Sequence, residues 1–127
     1  MSTLLADARA GRPLAGLEII DMHGHLGRIG FALPDLACGT LVREMDRIGV
    51  RSILVSHMYC MHRDTADGNR EILRAMRECP GRIQGYLSLW PNSAEAVQSE
   101  AAWCLAQGFT GIKLHNCNGF PYTYDAY

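Results

Sequence analysis

The chain has 127 residues, 48% of them hydrophobic and 20% charged, the balance of a soluble globular domain of single-domain size. Twelve basic against thirteen acidic residues leave a net charge of −1, and the basic residues are scattered, which argues against a nucleic-acid or anionic-membrane footprint. The apolar runs are only a few residues long and no basic stretch opens the chain ahead of one, so neither a transmembrane helix nor a secretory signal is expected and a cytoplasmic location is the default.

The elements follow in order. A lead over residues 1–16 contains "GRPLAG", and an apolar run over 17–23 reads as strand one. After a Gly-rich stretch, "TLVREMDRIG" sets Leu41, Val42, Met45 and Ile48 at helical spacing. Thr40 is expected to cap this helix and Gly49 to end it. "VRSILVSH" over 50–57 is β-branched and aliphatic and reads as strand two, with Ile53, Val55 and His57 on one face. "NREILRAMREC" stripes Ile72, Leu73 and Met76 along a helix that "PG" at 80–81 stops. "RIQGYLSLW" is strand three, broken by Pro91. Asn92 with Glu95 three residues on makes a capping-box start for a helix that runs to Gly108. "FTGIKLH" is strand four, and "NCNGFPYTYDAY" reads as loop.

Strands alternating with helices of about ten to fifteen residues are the pattern of parallel βαβ units. Four units of about thirty residues make half of an eight-stranded parallel barrel, which takes about 250 residues. An open doubly wound sheet is the alternative, but no GxGxxG turn follows strand one. A half-barrel over 1–127 as one domain is the expected fold.

"IIDMHGHLG" over 19–27 carries the chemistry. Strand alternation puts Ile19, Asp21, His23 and His25 on one face, with both histidines at the strand's C-terminal end, where barrel active sites form. Two imidazoles spaced this way can tilt onto one metal, and a surface pair with no ligand is the plain alternative. At the end of strand four, Lys113 and His115 share a parity facing the same interior. A lysine there would be paired, neutral, or carboxylated so as to bridge metals, unless it simply snorkels to the mouth. His115 suits substrate contact or proton transfer, or else a structural hydrogen bond. His57, with His62 and Asp64 in the loop after it, is a supporting candidate.

The five cysteines, Cys38, Cys60, Cys79, Cys104 and Cys117, are odd in number and widely spaced, so they read as reduced and mostly buried, with Cys60 and Cys117 as the loop candidates for a reactive thiol.

With these residues in hand the chain resembles the amidohydrolase superfamily, in its amidohydrolase-related (amidohydrolase 2) branch. "IIDMHGHLG" is similar to the Asp-x-His-x-His motif of strand one, "EMDRIGV" to the helix before strand two, "NREILRAMRECPGRIQGYLSLWP" to the stretch through strand three and "GFTGIKLH" to strand four. The resemblance implies a (β/α)8 TIM barrel of metal-dependent hydrolase type, of which this chain covers about the first four βα units. It implies a divalent metal, often Zn2+, held by His23 and His25, with Asp21 and His57 supporting and Lys113 and His115 near the chemistry. The metal would activate water against an amide, ester or lactone carbon; some members decarboxylate or hydrate instead. Phosphoesterase barrels with a similar opening look for a glutamate where this chain has "GIKLH". Family ligands beyond strand four have no counterpart here, so a non-catalytic half-barrel, or one completed by a second half-barrel or by another copy of the chain, is the other reading. An inner face carrying Ile19, Val55 and Leu87, with two unpaired sheet edges, would drive that association.

Overall fold

The computed structural model describes residues 3–28, 37–61, 64–115 and positions 119, 121, 123 and 125. In order these form α1 (Thr3–Arg9), β1 (Ile19–Leu26), α2 (Cys38–Ile48), β2 (Val50–His57), a 3-10 turn (Met58–Met61), α3 (Thr65–Glu78), β3 (Ile83–Ser88), α4 (Ala94–Ala106) and β4 (Gly111–Lys113). His62 and Cys117 lie outside the described residues.

The strands form one parallel sheet in the order β1-β2-β3-β4, curled into a half-barrel that is compatible with part of a (β/α) barrel. Parallel neighbours need a crossover, and α2, α3 and α4 supply it. The lead is not structureless, since it carries α1, whose end is tied by Arg12 to Asp7 at 2.6 Å. β1 starts two residues later than the apolar run and continues through both histidines.

Helix starts differ from the caps expected. α2 begins at Cys38 with Ala37, not the expected Thr40, at the cap, and the Thr40 hydroxyl accepts from Arg43 at 2.8 Å. Gly49 does end it, in the left-handed region at φ 78°. α3 starts at Thr65, four residues ahead of the striped segment. α4 is capped by Ser93, whose hydroxyl accepts from the Ala96 amide at 3.2 Å, while Asn92 turns back onto the Trp90 carbonyl.

Register decides which face is which. Ile53 pairs Ile83 and Val55 pairs Gly85. A Cβ on Gly85 would come within 2.7 Å of Phe109, 2.8 Å of Met76 and 2.9 Å of Ile72, so this parity faces the helices. Val55, Ile72, Leu87 and Cys104 are fully buried at 0% exposure. Ile19 packs against the same core. Ile19, Val55 and Leu87 therefore belong to the helix-covered layer, which corrects their placement on the inner face. The β-branched stripe goes under the helices because that is where apolar area leaves water.

The inner face is built from the other parity: Ser52, Leu54 and Ser56 on β2, Gln84, Tyr86 and Ser88 on β3, and Lys113, the register partner of Ser88. At its β1 side it leaves Ile20 and Met22 exposed, by 47% and 58%.

Candidate functional site

β1 is not a regular strand. Asp21 pairs Ile53 and Gly24 pairs Val55, so Met22 and His23 together stand opposite Leu54 alone. This bulge resets the alternation. His25 then pairs Ser56 on the inner face, whereas Asp21 pairs Ile53 on the helix side. The shared parity of Asp21 with the two histidines is thus corrected. Its carboxylate accepts the His23 backbone N–H at 2.9 Å and so closes a local turn at the bulge. Gly24 is seated by its lack of a side chain, since a Cβ there would lie 2.5 Å from Ile53 Cδ1.

The bulge brings the two imidazoles together. His23 Nε2 and His25 Nε2 are 3.1 Å apart, with the rings edge to face at 5.1 Å between centroids. Lys113 Nζ lies 3.3 Å from His23 Nε2. His115, half-buried, is close enough to depress the His25 pKa along with His23 and Lys113. His23, His25 and Lys113 are therefore gathered at one end of the inner face, with His115 near enough for its charge to act on His25.

Below them is a hydroxyl floor. Ser56 Oγ is 3.2 Å from His25 Nδ1 and donates to Cys60 Sγ at 3.9 Å. With the Ser56 proton directed at sulfur, its oxygen would accept the Nδ1–H of His25 and leave Nε2 of that ring as the nitrogen with a free pair. Cys60, expected in a loop, is buried in the 3-10 turn at 2% exposure and serves here as an acceptor. Burial, then the charges of His23 and Lys113, hold the His25 pKa below 6.5. A neutral imidazole is the form that ligates.

The end of β3 is held from outside the barrel face. Buried Asn69 donates to the Ser88 carbonyl at 2.9 Å and accepts from the Ser88 amide at 2.8 Å. It also donates to Glu100 at 2.9 Å. Arg70 grips the same carboxylate at 2.7 and 3.0 Å and stacks 3.3 Å over Trp103. Burial works to raise the Glu100 pKa, but Arg70 and Asn69 outweigh it and the carboxyl stays low.

His57 is elsewhere. It shares the parity of Ile53 and Val55 and packs on the helix side, against Tyr59 at 4.3 Å between ring centroids. It borders a separate cavity of about 320 Å³ with Cys38, Glu71 and Arg74. A Cβ on Gly27, which sits at φ 82°, would fall 2.2 Å from its Nε2. It supports the end of β1 and does not face the histidine pair. Asp64 stands at the N-cap of α3 without a side-chain cap bond.

Sequence reasoning missed Ser56, Tyr86 and Ser88, and read Cys60 only as a loop thiol. The available signal was the small hydroxyls at 52, 56 and 88, polar on a parity that the fold nevertheless buries. Among the described residues no group of three or more His, Cys, Asp or Glu side chains is arranged to hold a metal ion. Comparisons with protein families, curated proteins and solved structures give no match. No helix among the described residues is long and apolar enough to cross a membrane.

Proposed function

We propose that the inner-face cluster is the first half of a metal-dependent hydrolase site of the amidohydrolase-related type, built on part of a (β/α)8 barrel. One observation carries the reading: the 3.1 Å between His23 Nε2 and His25 Nε2. Two nitrogens bound at 2.0–2.1 Å to one tetrahedral ion stand about 3.3 Å apart, so the pair needs only a small adjustment to hold Zn2+. Such an ion, when bound, would polarise a carbonyl oxygen and lower the pKa of water, so that hydroxide is available near neutral pH to attack amide, ester or lactone carbon.

The chain's own residues do the rest. His23 and His25 supply two nitrogens, and Ser56 fixes the tautomer and tilt of His25. Asp21 pins the turn that aims His23. Lys113 and His115 stand beside the pair, where they can hold an anionic group or move a proton. Hydration or decarboxylation would use the same groups.

A second reading rests on the lack of a three-ligand group among the described residues. A catalytic zinc normally takes three protein ligands and a water. In this reading the half-barrel is non-catalytic until another half-barrel, or a second copy, adds ligands to the open inner face. Elemental analysis of the purified chain and of a His23→Ala, His25→Ala double variant tests the proposal. Bound zinc in the first and background in the second is expected, while equal metal content in the two would refute it.

A further inference from the structure

Met22 and His23 stand as two residues opposite Leu54 alone, and a bulge of this kind leaves backbone groups outside the regular ladder. Tyr86, two strands away on β3, donates its hydroxyl to the Met22 carbonyl at 3.2 Å. The bond joins β3 to β1, the two neighbours of β2 in the sheet. The ring also lies against β4. Its register partner on β4 is Gly111, and a Cβ there would lie 2.6 Å from Cε1 and 2.7 Å from Cδ1 of the ring, so only glycine lets the ring lie flat.

Met22 is bonded directly to His23, whose amide is already tied to Asp21 at 2.9 Å. The carbonyl before His23 and the amide of His23 belong to one peptide plane. Tyr86 holds one side of that plane and Asp21 the other. Rotation of this plane swings His23 towards or away from His25.

We infer that Tyr86 is a positioning residue: by anchoring the Met22 carbonyl it fixes the β1 bulge and holds His23 Nε2 against His25 Nε2. The inference deepens the proposed metal platform, on which its zinc readout rests, but the geometry it invokes exists without metal. A residue of this kind acts through the ligand it orients, and loss of such a partner typically weakens metal binding by about 10- to 100-fold.

The test uses the full chain and two substitutions. Tyr86→Phe removes the hydroxyl and keeps the ring; Gly111→Ala keeps the hydroxyl and pushes the ring aside. In metal-free protein, imidazole 15N–1H spectra of the wild type are expected to show the hydrogen bond between the two Nε2 atoms, and both variants are expected to lose it. Zn2+ affinity of Tyr86→Phe is expected to fall by about tenfold, with the thermal melt still cooperative. Imidazole spectra unmoved in Tyr86→Phe would overturn the inference, whatever happens to the melting temperature. A wild type that binds no zinc, while its imidazole spectrum still responds to Tyr86→Phe, would support the positioning role and refute the metal platform instead.

Discussion

The hydroxyl at position 56 lies 3.2 Å from His25 Nδ1, where it can orient the ring and bias its tautomer. Ser56→Ala removes the partner of His25 Nδ1 and leaves the ring free to turn or change tautomer, so zinc affinity measured by competition with a chelator is expected to drop about tenfold with the fold intact. Affinity within twofold of the wild type would show that Ser56 does not orient the ligand. His57 makes the second prediction at this scale. Burial holds its pKa below 6.5, against the opposing charge of Glu71. The folded state thus binds fewer protons than the unfolded chain, and stability rises with pH. Its contribution is complete above about pH 6.5 and is lost as pH falls through the lowered folded value. Melts between about pH 7.5 and about pH 5.5 are expected to show that decline, and His57→Gln, though less stable throughout, should show a shallower one; parallel curves would assign the acid sensitivity to other groups. The His23 and His25 spacing was readable as a possible pair because a period of two is set by backbone geometry. The loss of Asp21 from that face was not read, because it follows from a bulge at Met22 and His23 whose one sequence signal is Gly24 inside the strand.

At the scale of elements, α3 acts as the post on which β3 is hung. Asn69, at 1% exposure, satisfies both backbone groups of Ser88 and reaches Glu100 on α4. Asn69→Ala is expected to cost about 2–4 kcal/mol in urea unfolding, since buried polar groups lose their partners at about 1–3 kcal/mol each. A cost under about 1 kcal/mol would mean that water replaces the amide. Strands and helices were legible because alternation and helical stripes reflect burial. β2 in particular matches its segment from Val50 to His57. Helix starts were less so: capping depends on where a hydroxyl finds its partner, and Thr40 finds Arg43 while Ser93, not Asn92, finds the backbone.

For the whole molecule, the order of strands and helices implied a parallel sheet, and the curled four-stranded half-barrel has that topology. What the sequence did not disclose is which parity lies inside. Pattern alone marks a stripe as apolar, and the helices, not the barrel interior, take the apolar stripe of β2. Among the described residues β1 and β4 each have one neighbouring strand, and Ile20 and Met22 are exposed on the inner side. Unpaired edges beside apolar surface favour pairing with a second copy or a partner half. Light scattering at micromolar concentration is expected to find species larger than one chain, and a clean monomer with a cooperative melt would mean that the chain closes its own inner face. The central claim is that His23 and His25 jointly hold one metal. X-ray absorption of the zinc-loaded chain tests it most directly: the account predicts two imidazole nitrogens at about 2.0–2.1 Å, with the imidazole signal lost in the His23→Ala, His25→Ala variant. Sulfur at about 2.3 Å, or a spectrum unchanged by the double substitution, would contradict it.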